Sequence, residues 1–324
     1  MKKIIFVLCC LIKSVLYANS LSPFCFYQKY GVIDESRNII LRPVFNDIGI
    51  NSESYIICKD EINSYYIYSP DIKLRHKTPE QSSLSWYSNY EAMVTFPQNS
   101  GTSYQTYIIN IRNGKTSNSK TYKDKYLYTP YYTDKFAVVL KKDNLKFSVI
   151  DRNGKELFKD FKQAAWNYSE GLLPVIYTDG TSGYINTKGK LVLNVPVFLD
   201  YRMGGPKIEH LLNYDFHNDV AFLQTDEDVW HLVDKKGNMK KIPDDYKFPD
   251  RRFSNDLVLT EDKDQKFGFM NKNMELTIPC IFDSAESFEG KYAIAVYKGK
   301  DAIVDEKGNI YFCEDFCKQK IQER

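Results

Sequence analysis

The sequence predicts an all-β protein built from tandem three-stranded β-meanders. Eight times, at steps of 34 to 48 residues, an apolar stretch ends in an anchor residue that is mostly Asp or Asn and opens a polar turn. Tyr (25) and Phe (20) are abundant, which favours strands over helices. A period of this size indicates a repeat array. One meander cannot bury its own apolar face, so we expect neighbouring copies to stack.

The first twenty residues have the layout of a secretory signal peptide. Two lysines precede the apolar run at residues 4–12, and the small-residue stretch Ala18-Asn19-Ser20 follows. The run is too short to span a bilayer stably. Cleavage after Ala18 places Leu16 at the third position before the cut, which is an imperfect fit. Cleavage after Ser20 places the small residue Ala18 there, which fits better. Lipidation at Cys10 is the alternative. We therefore expect an exported protein in the periplasm, at the cell surface or secreted.

The charge of the mature chain excludes one class of partner. Removing residues 1–20 takes away three of the 44 Lys and Arg and no acid, so 41 basic residues face 42 acidic ones. No block of basic residues remains that would neutralise a run of phosphates. The sequence therefore predicts no nucleic-acid partner and no transmembrane span in the mature chain.

Each copy contains three recurring signals. An apolar stretch runs into the anchor, as in Phe267-Gly268-Phe269-Met270-Asn271, and a turn predicts a β-hairpin. The second arm ends near a proline, as in Pro279-Cys280-Ile281-Phe282-Asp283. A segment such as Phe288-Glu289-Gly290 then leads into another apolar run. The eight anchors are Asp34, Ser69, Asn110, Asp151, Asn186, Asp234, Asn271 and Asp305. Because they recur once per unit at strand ends, we interpret them as turn-forming residues and not as catalytic acids.

These residues carry a family resemblance. Residues 267–296 resemble the WG-repeat family nearly throughout, and residues 28–46 and 147–190 match well. Tyr30-Gly31 and Phe267-Gly268 stand where the family has Trp-Gly. The resemblance implies a β-repeat protein and supplies no catalytic residue. We expect a single repeat domain at residues 21–313, followed by a polar tail at 314–324.

The two ends of the array predict closure into a propeller-like ring of seven or eight small blades. The last unit lacks a third strand, and Phe24-Cys25-Phe26 precedes the first unit, so we expect this segment to complete the last blade. Closure would also remove exposed sheet edges. Cys25 would then form a disulfide with Cys313 or Cys317. The alternative is an open, curved β-solenoid.

The sequence offers few candidates for chemistry. It contains no nucleophile motif, zinc motif or phosphate-binding loop, so we expect no enzyme, no cofactor and no metal site. The longest gap between anchors holds a polar insertion at residues 200–219 with His210 and His217. Among aromatic residues, Trp86, Tyr128 and Tyr131 are candidates for ligand contacts.

We interpret the sequence as an exported, non-catalytic repeat protein that binds a protein or a surface glycan, or serves as a scaffold. Two alternatives stay open at this point. One is a hydrolase of the envelope or host surface with its site in the 200–219 insertion. The other is a purely structural envelope protein.

Overall fold

The predicted all-β repeat fold is confirmed by a computed structural model of the chain. The structure describes residues 21–51, 53–88, 90–98, 103–118, 125–127, 130, 132–133, 135–195, 214–226 and 229–319. Small antiparallel sheets follow one another as the blades of a β-propeller. The proposed signal peptide at residues 1–20 lies outside the described residues.

The propeller has seven blades, and the described strands that form them can be grouped by anchor into eight successive meanders. The first four comprise β1 Ser22–Phe26, β2 Lys29–Ile33 and β3 Ile39–Phe45; β4 Asp47–Ile50, β5 Ile56–Lys59, β6 Tyr65–Tyr68 and β7 Leu74–Lys77; β8 Ser83–Ser88, β9 Glu91–Gln98, β10 Ser103–Asn110 and β11 Thr116–Asn118; β12 Tyr132–Thr133, β13 Phe136–Leu140, β14 Phe147–Asp151 and β15 Glu156–Ala164.

The last four comprise β16 Leu172–Tyr177, β17 Ser182–Asn186 and β18 Leu191–Asn194; β19 Val220–Asp226, β20 Val229–Asp234 and β21 Met239–Lys241; β22 Leu257–Glu261, β23 Phe267–Asn271 and β24 Leu276–Phe282; β25 Ser284–Ala285, β26 Tyr292–Tyr297, β27 Lys300–Asp305 and β28 Ile310–Phe312. One helix, α1 Cys313–Gln319, follows the last strand. In four meanders an additional strand (β4, β8, β12 or β25) precedes the three that recur.

The anchors act as turn caps, as predicted. Asp34 Oδ1 accepts hydrogen bonds from the backbone N–H groups of Ser36 and Asn38 at 2.9 and 2.8 Å. Asp305 Oδ1 makes the same pair of bonds with the N–H groups of Lys307 and Asn309 at 3.0 and 2.9 Å. Since these carboxylates are occupied by the backbone of their own turns, they do not form a catalytic pair.

The glycine of the aromatic-glycine pair has a packing role. Strands β2 and β23 pair with third strands that contain register shifts. At these irregularities the partner backbone comes close, and a Cβ on Gly31 would lie 2.6 Å from the Leu41 carbonyl oxygen. A Cβ on Gly268 would lie 2.6 Å from the Ile278 carbonyl oxygen. A side chain does not fit at either position, which explains why the repeat places glycine there.

A tight turn precedes the first recurring strand of several meanders. In the turn from Ser169 to Leu172, each of these two residues donates its N–H to the other's carbonyl oxygen at 2.9 Å. The central residues Glu170 and Gly171 have φ of 50° and 80°. Two consecutive positive φ values define a type I′ turn, which matches the twist of antiparallel strands. The corresponding turns contain Asn218-Asp219 and Asn255-Asp256, also at positive φ.

The predicted phase of the repeat is wrong by one strand. Phe24-Cys25-Phe26 does not complete the last blade, because β1 pairs antiparallel with β2 in the first meander. The last meander is itself complete, with β25, β26, β27 and β28 in one sheet. The recurring unit therefore begins with the apolar run after the tight turn, and the anchor hairpin is its second half. Among the described residues, no strand is left over at either end of the array.

Side-chain packing between the first and last meanders nevertheless closes the array, so the ring is favoured over the open solenoid. Phe24, Ile33, Tyr292 and Ile303 share one buried cluster with the helix α1. The Tyr292 hydroxyl donates to the Glu35 carbonyl oxygen at 2.8 Å, 257 positions apart in the chain. We call this contact between the first and last meanders the seam.

The predicted polar tail contributes to the seam. Helix α1 places Phe316 against Phe24 with ring centroids 5.4 Å apart and an edge-on geometry. Cys313 and Cys317, one helical turn apart, are buried in the same cluster. The expected boundary at residue 313 thus falls at the start of a helix that packs on the ring.

Candidate functional site

A cavity of about 1520 Å³ lies between the two ends of the chain. Leu21 of the first meander, strand β4 and Trp86 on β8 contribute to its lining. The tight turns at residues 252–255 and 288–291, from the last two meanders, also contribute to it. The cavity therefore exists only because the seam brings distant parts of the array together. Concave sites with convergent polar groups are the usual places for ligands.

Hydrogen bonds between successive turns hold one rim of the cavity. Ser254 Oγ donates to the Phe288 carbonyl oxygen at 2.7 Å. Asn255 Nδ2 donates to the Gly290 carbonyl oxygen at 2.6 Å. Lys291 N–H then donates to Ser22 Oγ at 2.9 Å, across the seam. Each turn thus positions the next, and the rim is preorganised.

Glu289 brings a buried carboxyl group to this rim. Its Oε1 accepts a hydrogen bond from the Ile50 N–H at 2.6 Å, which ties the last meander to strand β4. Burial raises the pKa of Glu289, and the neighbouring charges of Glu286 and Asp47 act in the same direction. The Ile50 bond and the charge of Arg252 lower it and only partly offset the burial. The cavity therefore contains a carboxyl group whose negative charge is incompletely compensated.

Part of the cavity lining is apolar and aromatic. Leu84 and Trp86 are two positions apart on β8, so their side chains lie on the same face of the strand. Both line the cavity, and Trp86 is 36% exposed. Tyr65 also lines it, with the Lys59 ammonium 5.9 Å from the centre of its ring. An exposed tryptophan beside polar groups can hold a ligand by its flat face while the polar groups orient it.

The structure places the candidates from the sequence in different surroundings. Trp86 lies in the cavity, whereas His217 lies in the turn before β19 and is not part of the cavity lining. Burial lowers the pKa of His217, and the charge of Arg252 lowers it further. Tyr128, Tyr131 and His210 lie outside the described residues.

The described end of the 200–219 insertion contains a second buried carboxyl group. The Oδ1 atom of Asp215 is buried and has no hydrogen-bond partner among the residues that the structure describes. Burial raises the pKa of Asp215 to about 7. A carboxyl group that titrates near neutral pH can act as an acid or a base.

The three cysteines that are candidates for the predicted disulfide lie at the seam. Cys25, Cys313 and Cys317 are unbonded in the structure. Burial raises the pKa of Cys25 and of Cys317 to about 11, and it also raises the pKa of Cys313. The charges of Cys317 and Cys25 raise the pKa of Cys313 further, so the three thiols are near neighbours. The disulfide remains a prediction.

Sequence reasoning missed Glu289 and Arg252. In the sequence, Glu289 belongs to the recurring Phe288-Glu289-Gly290 segment, which predicts a lead into an apolar run and no binding site. Once the turns are aligned by their hydrogen bonds, its position is occupied by Ser169, His217 and Ser254 in the neighbouring copies. Among these four aligned positions, Glu289 is the one carboxylate, and the others are serine or histidine. This difference is the signal in the sequence that could have identified Glu289 as a site residue.

No group of three or more His, Cys, Asp or Glu side chains in the described ranges could hold a metal ion. No helix of this part of the chain is both long and apolar enough to cross a membrane.

Comparison with known proteins bears out the family resemblance. The model of the family "WG containing repeat" matches residues 30–59 and 267–300. The first segment contains β2 and Gly31, and the second contains β23 and Gly268, so both include the glycine that lies against the partner backbone. No curated protein matches the chain in sequence.

Several solved structures are similar to this chain. It is similar to BamB from Moraxella catarrhalis, with 11% identity, 82% of this chain and 86% of that chain covered, and a TM-score of 0.44. It is similar to a eukaryotic initiation factor, with 10% identity, 90% and 94% covered, and a TM-score of 0.48. It is also similar to Kluyveromyces lactis Hsv2, with 13% identity, 80% and 92% covered, and a TM-score of 0.36.

Proposed function

We propose that the protein is an exported, non-catalytic binding module that holds a protein or surface-glycan ligand in the cavity between its ends. The observation that carries this proposal is the position of Trp86. Its side chain is 36% exposed and lines the same preorganised cavity as the polar turns. The repeat architecture supports the same role, because stacked repeats present shared surfaces to partners.

The charges of the cavity fit a ligand without a strong net charge. Acids and bases both line it: Glu35, Glu289, Lys59 and Arg252 are examples. A ligand that offers hydroxyl or amide groups and one apolar face would satisfy such a lining better than a polyanion. Glycans and polypeptides both have these features.

The test compares Trp86→Ala with a matched control. Tyr104 is 72% exposed and lies outside the cavity lining, so Tyr104→Ala removes an exposed aromatic ring without changing the cavity. We expect the immobilised mature chain and Tyr104→Ala to retain the same ligand from a native envelope extract, and Trp86→Ala to lose most of it. Treating the extract with protease or with glycosidases beforehand distinguishes the two ligand classes. Equal capture by both variants would contradict the proposal.

The proposed export has its own measurement. The mass of the mature N-terminus should show cleavage after Ser20 or Ala18, whereas a lipid on Cys10 would indicate a lipoprotein. A full-length chain in the cytosol would contradict export.

Asp215 supports a second candidate function. Its buried carboxyl group, whose Oδ1 atom has no hydrogen-bond partner among the described residues and whose pKa is raised to about 7, belongs to the insertion proposed for a hydrolase. If the protein hydrolyses an envelope or host-surface substrate there, Asp215→Asn and His217→Ala should abolish turnover without loss of the fold, while Trp86→Ala should leave it. If the protein captures no ligand and shows no turnover, the result would favour a purely structural envelope protein.

A further inference from the structure

The described part of the first meander begins at Leu21 and contains no tight turn before β1. The sequence just before Leu21 resembles the tight turns of other copies. Leu21 directly precedes Ser22, the start of β1, so it occupies the place that Leu257 has at the start of β22. In this alignment Tyr17-Ala18-Asn19-Ser20-Leu21 corresponds to Phe253-Ser254-Asn255-Asp256-Leu257. The end of the proposed leader therefore has the composition of a turn that other copies retain. Cleavage after Ser20 would remove that turn from the mature chain and make Leu21 its first residue.

The backbone of Leu21 lies against the last meander at the cavity. A Cβ placed on Gly290 would lie 2.2 Å from the Leu21 carbonyl oxygen. The next residue, Ser22, accepts the hydrogen bond from Lys291 N–H. Leu21 itself is 3% exposed and lines the cavity. A new chain end at Leu21 would thus begin inside the cavity, beside the turn that carries Glu289.

The charges around Glu289 favour a cation at this place. Glu286 and Asp47 add negative charge, and Arg252 provides the opposing positive charge. The hydrogen bond from Ile50 N–H uses the Oε1 atom of Glu289. A buried carboxylate is costly unless it is paired, so an ammonium group here would stabilise it.

We propose that cleavage after Ser20 places the α-ammonium group of Leu21 in the cavity, where it pairs with Glu289 and becomes part of the ligand site. Cleavage consumes one water: the Ser20–Leu21 peptide bond breaks, the carboxylate leaves with residues 1–20, and the amine remains on Leu21. That amine takes up a proton near neutral pH. The inference rests on the proposed export and cavity. It deepens them, because processing then supplies one of the charged groups of the cavity.

The test measures the reactivity of the amine. Mass spectrometry should first show that the native mature chain begins at Leu21. The N-terminal peptide is then followed while the folded protein reacts with an amine-acylating reagent at pH 7. Pairing with a carboxylate raises the pKa of the amine, and one unit reduces the reactive, unprotonated fraction tenfold. We expect Glu289→Gln to be acylated at Leu21 about tenfold faster than the wild type. Glu80→Gln, an exposed change outside the cavity lining, should match the wild type.

A second variant keeps the test decisive if Glu289→Gln does not fold. A chain that retains Asn19 and Ser20 carries its amine two residues further out, and we expect that amine to react as fast as in a short peptide. A native chain that begins at any other residue, or equal acylation rates with and without Glu289, would overturn the proposal. So would slow acylation of the extended chain. A protected Leu21 amine in a protein that captures no ligand would refute the proposed function alone, whereas captured ligand with a freely reactive amine would refute this inference alone.

Discussion

Closure through side-chain packing makes Phe24 a test of the ring. Phe24 is 0% exposed although it lies three residues after the first described position. It packs on Phe316 and shares a cluster with residues of the last meander. Replacing a fully buried Phe by Ala costs about 3–5 kcal/mol through lost burial and a residual cavity. The loss of the edge-on contact with the Phe316 ring, worth about 1 kcal/mol, is part of this total. We therefore expect Phe24→Ala to lower the free energy of unfolding by about 4 kcal/mol.

Urea unfolding followed by tryptophan fluorescence measures this loss, with Phe222→Ala as the control. Phe222 is 1% exposed and packs on Phe248 and Phe253 within the middle of the array. In a closed ring the two substitutions should cost the same within about 1 kcal/mol, because both leave a cavity between packed meanders. In an open array the terminal position would be half solvated, and its loss would be small. A cost below about 1 kcal/mol for Phe24→Ala beside the full cost for Phe222→Ala would refute closure.

Three further predictions follow from backbone geometry, titration and the seam. Gly290→Ala should lower Tm more than Gly299→Ala: both have positive φ, at 68° and 72°, but only Gly290 has neighbouring backbone where a Cβ would go. Equal losses would show that the close approach is relieved elsewhere. Burial raises the pKa of Asp215 from 3.8 to about 7, so the folded state holds a proton that the unfolded state releases above about pH 4. The stabilising effect of this bound proton should be complete below pH 3.8 and should be lost as the pH rises to about 7. Asp215→Asn should therefore show a smaller decrease in Tm than the wild type between these two pH values. An unchanged dependence of Tm on pH would contradict the assigned pKa. Peptide mapping of the exported protein without reductant should find Cys25 linked to one of the two helix cysteines, and Cys25 recovered only as a free thiol would remove the predicted staple.

The repeat itself could be predicted because local chemistry repeats with it. Each anchor lies at or directly after the end of the second recurring strand, as Asp151 ends β14 and Asn186 ends β17. Its side chain closes the following turn by bonds within five residues. Information of this range is contained in a short stretch of sequence, so strand ends and hairpins followed from it.

The phase of the meander and the cavity could not be predicted for the opposite reason. The three-strand unit can be divided before or after the anchor hairpin with the same sequence, and only the pairing of Ser22 with Ile33 decides between them. The cavity depends on contacts such as Ile50 with Glu289, which are 239 positions apart. No periodic pattern specifies which distant turns will face each other. Trp86 was identified as an exposed aromatic candidate, but its place in the cavity follows from closure alone.

The absence of a shared strand at the seam has a consequence for the history of such chains. Among the described strands, β1 hydrogen-bonds only within its own sheet, and the sheet of β25 to β28 is complete without it. Adding or removing a copy whose sheet is separate from its neighbours, such as β22 to β24, would therefore leave the backbone bonds of the other sheets in place. The third, fourth and fifth copies differ, because β8 pairs with β12 and β15 pairs with β16, so the loss of one of them would break backbone bonds to its neighbours. Joining the ends at the seam while opening a hairpin elsewhere should yield a permuted molecule of the same shape.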